Sequence, residues 1–153
     1  MSMSKRALLL SLAGVAAVGG VVVGGLAASA ASAPTEPAFT NGSARYVAPT
    51  ATGVGSFTYT VDVSDDSGIR GLKVVAWPTS SKLEPTKADL RYVDSAKCTR
   101  TSDATSRCTY ALKVTKKDAA DMAKGTWYVS VLATAKDGGT TFASRTATFD
   151  VTG

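Results

Sequence analysis

The amino-acid sequence predicts an all-β fold, an immunoglobulin-like β-sandwich of about seven strands with one disulfide. Two observations carry the prediction of a sandwich. Beyond residue 55, apolar residues recur at every second position, which is the period of a strand with one buried face. Short turn signals rich in Gly, Asp and Ser separate these runs at the spacing of a two-sheet sandwich. The predicted sandwich domain spans residues 56–153.

Alternating runs supply five strong strand candidates. In the first of them, Phe57, Tyr59 and Val61 alternate with threonines and an aspartate, and in the fourth Trp127 and Tyr128 lie on opposite faces. The five runs are residues 57–63, 72–77, 108–114, 126–135 and 142–151. Two weaker candidates, residues 45–47 and 92–98, bring the count to seven.

One segment departs from the strand period. Residues 115–124 lack alternation, and Thr115 is a good cap for a single helical turn that contains Asp118 and ends before Gly125. We therefore expect a short helix immediately before the strand predicted at residues 126–135.

The N-terminus has the order of a secretory signal peptide. Lys5 and Arg6 precede an uncharged apolar run over residues 7–28, which ends in the small residues Ala31, Ser32 and Ala33. We expect cleavage after Ala33, so that residues 1–33 are a signal peptide and the finished protein is extracellular, with no stable membrane association. The alternative is a membrane anchor, since about 20 apolar residues can span a bilayer.

Cys98 and Cys108 are the two cysteines of the chain, and both lie after the expected cleavage point. An even cysteine count in an exported chain predicts a disulfide, and this pair would join neighbouring strands. The alternative of a redox or zinc site fits poorly, because nine residues separate the two cysteines and the sequence contains no His.

Charge and composition argue against several function classes. The chain carries 17 basic and 12 acidic residues, and loss of Lys5 and Arg6 with the signal leaves a net charge of +3. These charges are scattered, whereas nucleic-acid binding uses a concentrated basic surface. Without His, and with both cysteines expected in a disulfide, no motif places a nucleophile beside a base. We therefore expect a noncatalytic protein with no cofactor and no nucleic-acid partner.

The most informative feature outside the predicted sandwich is an extended N-terminal arm, residues 34–55. It is rich in Pro, Thr and Gly, so we expect little of it to pack as a strand. The arm is either a solvated spacer or a partner-binding peptide, in which Pro34, Phe39, Tyr46 and Val47 would contact the partner.

Two further patterns are weaker candidates for ligand sites. Asp62, Asp65 and Asp66 could contribute to a calcium site, although Asp-Asp-Ser-Gly is also simply a good turn. Exposed aromatic side chains could grip a sugar or a protein. The possible surface aromatics are Tyr59, Tyr110 and Tyr128.

Two stretches resemble known modules. Residues 61–69 with the following strand 72–77 resemble the second and third strands of bacterial immunoglobulin-like modules, and residues 125–131 with 135–138 resemble their last hairpin. The whole mature chain is similar to a family of small secreted actinobacterial proteins of unassigned function. Within that group it resembles the adaptor subunit of umbrella toxin particles, which joins a lectin-bearing subunit to a large toxin scaffold.

The resemblance implies a secreted, noncatalytic protein-binding module, an adaptor or structural subunit of an extracellular assembly. Its partners would be other secreted proteins, a lectin-bearing subunit and a toxin scaffold among them. Two alternatives stay open. One is an inhibitor of a secreted protease, which would present loop 82–87 or the loop with Arg100. The other is a carbohydrate-binding module that uses exposed Trp or Tyr side chains.

Overall fold

Strands follow the predicted alternation along most of the chain that this computed structural model describes, residues 33–153. In chain order they are β1 (Ala38–Val47), β2 (Gly55–Ser64), β3 (Ile69–Pro78), β4 (Lys97–Arg100), β5 (Thr105–Val114), β6 (Gly125–Ala135) and β7 (Thr140–Val151). A 3₁₀ helix (Asp89–Tyr92) lies between β3 and β4, and an α-helix, α1 (Lys116–Asp121), lies between β5 and β6.

The strands form two antiparallel sheets. One sheet has the order β1-β2-β5-β4, and the other has the order β3-β6-β7. This is the strand distribution of immunoglobulin constant-type domains. The predicted fold class, an immunoglobulin-like sandwich of seven strands, is confirmed.

The main core lies between the sheets and consists of the residues that alternation placed on one face of each strand. Phe57 and Val61 of β2 are buried against Val129 and Val131 of β6, and Phe149 closes the same cluster from β7. Burying one such side chain stabilises the fold by about 1.5–3 kcal/mol. The predicted inward face of β7, Phe149 with Val151, is confirmed.

A second layer covers the outer face of the three-stranded sheet. It is formed by residues 79–96, here named the crossover segment, whose 3₁₀ helix contacts β3 and β6. Leu90 of this segment is fully buried. Beneath it, the indole of Trp77 donates to the Ser130 hydroxyl at 2.9 Å, and Leu132 is buried as well. Strand β6 is therefore buried on both faces, and both of its faces carry apolar side chains for this reason.

Strand β1 corrects the expectation for the N-terminal arm. Residues 34–55 were expected to contribute little strand, but Ala38–Val47 pairs with β2 along its whole length. The pairing slips between Thr40 and Ser43, and Asn41 has a positive φ of 55°. Such a bulge inserts a residue and so interrupts the period of two. The inward residues are Phe39, Ala44 and Tyr46. The spacing changes from odd to even positions at the bulge, so the sequence shows no continuous alternation over this strand.

Strand β4 is shifted from the predicted 92–98 to Lys97–Arg100. The reason is that the chain changes sheets just before it. The Val74 amide donates to the Asp94 carbonyl, and the Ala96 amide donates to the Leu72 carbonyl, so residues 94–96 lie along β3. From Lys97 onward the chain pairs with β5 instead.

The predicted disulfide is confirmed. Cys98 of β4 lies directly opposite Cys108 of β5, and the two side chains are bonded. The bond therefore joins two neighbouring strands of one sheet. It does not join the two sheets, as the bridge of antibody domains does. A disulfide is typical of proteins in oxidising compartments.

The short helix is also confirmed. Thr115 caps α1 by accepting from the Asp118 amide, and the Asp118 carboxylate accepts in return from the amide and hydroxyl of Thr115. This reciprocal capping box lowers the pKa of the Asp118 carboxyl. The helix ends at Asp121, and Gly125, with a φ of 106°, begins β6.

Two expectations concern the membrane and the signal. Among residues 33–153, no helix is long and apolar enough to cross a membrane. The predicted signal peptide lies outside the described residues, apart from Ala33.

Candidate functional site

An apolar groove with a volume of about 510 Å³ opens between the two sheets. We name it the intersheet groove. Its lining includes Phe57, Ala76, Tyr92, Tyr110, Leu112 and Trp127. The residues come from both sheets and from the crossover segment, so the groove is an opening into the side of the sandwich. Its size is that of a ligand pocket.

The groove is open because β4 is short. Strand β4 pairs only with residues 106–109 of β5, so residues 110–114 have β2 on one side and no strand of residues 33–153 on the other. On the facing sheet, β3 is likewise an edge strand. The gap between these two edges leaves the sandwich uncovered at this point.

Leu112 shows the consequence most clearly. Residues directly opposite in an antiparallel pair share a face, and Leu112 lies opposite the buried Phe57. Leu112 therefore points to the interior side of its sheet, yet 45% of its surface is exposed. An inward apolar side chain with this exposure marks a part of the core that no segment of residues 33–153 covers.

Aromatic rings form the floor of the groove. The Phe57 and Phe149 ring centroids are 4.6 Å apart, and Trp127 lies 6.0 Å from Phe149. Tyr110 meets the edge of Phe57 at 6.3 Å. The Trp127 indole donates to the Ala123 carbonyl at 2.8 Å, which fixes the loop after α1. The floor is thus formed by rings that pack on one another.

Tyr92 stands at the rim. It is the last residue of the 3₁₀ helix and is 92% exposed, although it lines the groove. The neighbouring Tyr110 hydroxyl has a raised pKa, first because it is partly buried and then because the Asp94 carboxylate lies beside it. The other acid in the lining, Asp118, is committed to the cap of α1. The chemistry that this lining offers is apolar and aromatic contact.

The structure divides the three predicted surface aromatics. Tyr59 is wrong as a surface residue, since it is fully buried in the core, where its hydroxyl lies 3.5 Å from the Thr146 hydroxyl, and burial raises the pKa of the Tyr59 hydroxyl. Tyr110 is half-buried in the groove. Tyr128 is half-buried on the outer face of β6, 5.0 Å from Trp77, and the Arg145 guanidinium lies 4.9 Å from its ring centroid. The ring face of Tyr128, which the carbohydrate hypothesis assigns to a sugar, is therefore already in contact with the Arg145 guanidinium.

The three aspartates of the calcium hypothesis have separate partners. Asp62 accepts from Asn41 and makes a bidentate ion pair with Arg107, and these contacts hold the pKa of its carboxyl below the usual range. Asp65 is buried and accepts from Ser67, while Asp66 points to solvent. Within residues 33–153, no cluster of three or more His, Cys, Asp or Glu side chains could hold a metal ion.

The predicted partner-contacting residues of the arm have mixed surroundings. Phe39 and Tyr46 are partly buried against the core, and the Tyr46 ring stacks on Phe149 at 6.3 Å. Val47 is 41% exposed and Pro34 is exposed. Two of the four are therefore used by the sandwich itself.

The loops of the inhibitor hypothesis differ in their attachment. In loop 82–87, Glu84 accepts from the Ser144 hydroxyl and pairs with Arg145 at 2.9 Å, so the loop is tied to β7. These contacts lower the pKa of the Glu84 carboxyl, with the Ser144 hydrogen bond as the largest cause. Arg100 is exposed in the disulfide loop and pairs with Asp103.

Sequence reasoning missed the two residues that best mark the groove, Tyr92 and Leu112. Alternation along 108–114 does put Leu112 on the same face as Tyr110, which was a usable signal. No local pattern showed that both would lack cover.

Comparison with curated proteins and with solved structures found no significant match. A family model described as a family of unknown function, DUF5707, matches residues 39–133. The match begins in β1 and ends in β6, so it includes most of the strands that line the intersheet groove. The chain belongs to the DUF5707 family.

Proposed function

We propose that this protein is a secreted, noncatalytic protein-binding module that holds a segment of an extracellular partner in the intersheet groove. In this role it is an adaptor or structural subunit of an extracellular assembly. The resemblance to the umbrella toxin adaptor makes a lectin-bearing subunit and a toxin scaffold the first partners to test.

The observation that carries the proposal is the exposure of apolar side chains at the groove. Leu112 is inward-facing and 45% exposed, and Tyr92 on the rim is 92% exposed. Contiguous apolar surface of this kind typically marks an interaction site. Tyr and Trp, both present in the lining, are also enriched among the residues that dominate binding energy.

Secretion is supported by two features that agree. The N-terminal pattern is that of a signal peptide, and the Cys98–Cys108 bond belongs to an oxidising environment. The binding role is supported by the lining of the groove, whose side chains are mainly apolar and aromatic.

A displayed library of random peptides tests the proposal. Peptides selected on the wild-type protein should bind the Leu112→Asp variant at least about tenfold more weakly, because a carboxylate would be buried against an apolar ligand. Tyr92→Ser should also weaken binding. This second variant guards against misfolding of the first, since the Tyr92 side chain is almost fully exposed.

Leu83→Asp is the matched control, because Leu83 is an exposed leucine outside the groove lining. It should leave binding unchanged. Failure of the library to yield any binder, or equal binding to all the variants, would overturn the proposal.

A further inference from the structure

We infer that the partner segment binds as an added β-strand along residues 110–114 of β5, and that it alternates apolar residues with acidic ones. This inference rests on the proposed function, and it specifies the conformation and chemistry of the segment that the groove receives.

The free edge of β5 is the first argument. Residues 110–114 form five positions of a strand whose outer side faces no other strand of the described chain. A strand edge presents unpaired amides and carbonyls, and these groups bind an extended peptide through main-chain hydrogen bonds. The natural occupant of this place, the continuation of β4, is absent because residues 94–96 lie along β3 instead.

Space beside that edge is the second argument. A cavity of about 480 Å³ runs along it, between Asp94 to Lys97 on one side and residues 109–112 on the other. It shares Asp94, Tyr110 and Leu112 with the intersheet groove. A strand laid in this cavity would send every second side chain into the groove, over Tyr110 and Leu112.

Charge supplies the third argument. On β4 and β5, Lys97 and Lys113 alternate with inward-facing residues and lie opposite Thr109 and Ser56 respectively. Lys113 borders the intersheet groove and Lys97 borders the cavity beside the edge, and Asp94 is the acid that borders both. Both lysines are exposed, and neither takes part in an ion pair within residues 33–153. One outward residue of an added strand would lie opposite Lys113, where cross-strand pairing favours Asp or Glu. The added strand would continue the line of β4, so its end would lie close to Lys97.

The same lysines argue against a second copy of this chain as the occupant. Two copies joined edge to edge at β5 would bring their lysine-bearing rims together, and like charges across strands are destabilising. A partner segment with acidic residues at alternate positions removes that repulsion.

Synthetic peptides and the full mature chain test the inference. A peptide that alternates Val with Glu should bind at least tenfold more tightly than the matched peptide that alternates Val with Lys. Lys113→Glu should reverse this preference. Lys136→Glu, in the turn between β6 and β7, is the control variant and should leave the preference unchanged.

Amide hydrogen exchange locates the bound peptide. Saturation with the Val/Glu peptide should slow exchange at those amides of residues 110–114 that face away from β2. N-methylation of every second peptide amide, on the side that would face β5, should weaken binding at least tenfold.

The outcomes separate the two proposals. If displayed peptides bind in a Leu112-dependent way but exchange at 110–114 is unchanged, or acidic residues give no advantage, strand addition is overturned and groove binding stands. A dimer in sedimentation that the peptide does not dissociate would also overturn it, in favour of a second copy. If no peptide of either kind binds, both proposals fail.

Discussion

Asp65 is the residue at which three parts of the chain meet. Its buried carboxylate accepts from the amide and hydroxyl of Ser67 in the turn after β2, and from the Thr35 hydroxyl near the N-terminus. The Thr35 amide in turn donates to Asp137 in the turn between β6 and β7. At Gly139 an added Cβ would collide with the Thr35 carbonyl, so this position has room only for glycine while Thr35 stays in place. The segment around Thr35 is thus fastened to one end of the sandwich.

This carboxylate predicts a loss of stability in acid. Burial alone would raise the pKa of Asp65, but the hydrogen bonds from Ser67 and Thr35 outweigh burial and lower the pKa. An unfolded Asp titrates near pH 3.9. Because the folded pKa is lower, the stabilisation is fully present above about pH 5 and is lost as pH falls through the folded pKa. Asp65→Asn should therefore lose less free energy of unfolding than the wild type between pH 7 and pH 3, as measured by urea unfolding.

Asp66→Asn is the matched control for this experiment, because Asp66 is the exposed neighbour of Asp65 in the same turn. Its acid profile should follow that of the wild type. The assignment to Asp65 would be wrong if the two asparagine variants showed the same dependence on pH.

The crossover segment contributes both to the packing of this sandwich and to its groove. It buries the outer face of the β3-β6-β7 sheet through Leu90, and Glu84 ties it to Ser144 and Arg145 of β7. The Lys73 ammonium also donates to the Val93 carbonyl at 2.9 Å, close to the point where the segment turns toward β4. Since Tyr92 and Asp94 belong to this segment, it also builds one wall of the intersheet groove.

The unfolding free energies of two leucine variants test how much the crossover segment contributes to stability. Leu90→Ala should lower the free energy of unfolding by about 2–5 kcal/mol, because Leu90 is fully buried and the substitution leaves a cavity. Leu83→Ala, in the same segment but 83% exposed, should change it by less than about 0.5 kcal/mol. Denaturant unfolding of both variants checks this. Equal effects would mean that the segment does not pack on the sheet in solution.

Elements differed in how well the sequence predicted them. Strand β2 keeps an uninterrupted alternation, so its buried face was predictable from period alone. Strands β5, β6 and β7 were located by their alternating runs, but β6 is buried on both faces, and the pairing of β6 with β7 slips near Arg145, which has a positive φ of 56°. Strand β1 was underestimated because the bulge at Asn41 breaks its period. Strand β4 was misplaced because the chain first pairs with β3 and then with β5. Such a change of sheet depends on tertiary packing, and no local pattern encodes it.

The groove was unpredictable for the same reason. Alternation placed Leu112 on an inner face, but its exposure depends on where residues 94–96 go. The disulfide was predictable because an expected secretory signal and an even cysteine count together favour a bridge.

The described domain is a sandwich that is open beside residues 110–114 of β5, because β4 is too short to cover them. Edge strands are normally kept short, charged or covered to prevent unwanted pairing. Here the edge of β5 is flanked by lysines and lies beside an apolar groove, which suits pairing with a selected partner. Most of the N-terminal arm, by contrast, either forms β1 or is held near Thr35 by hydrogen bonds to Asp65 and Asp137. On this account the protein binds through its side and uses its N-terminal residues to complete its own fold.

Site-specific photo-crosslinking tests this account most directly. A photoreactive residue would replace Leu112 in the groove, Glu36 in the arm or Leu83 in the crossover segment, and each variant would be exposed to culture supernatant of the producing organism. We predict that position 112 alone crosslinks to one extended segment of an extracellular protein, whose residues alternate between apolar and acidic. Crosslinking from position 36 but not from position 112 would contradict the account and would make the arm the binding site.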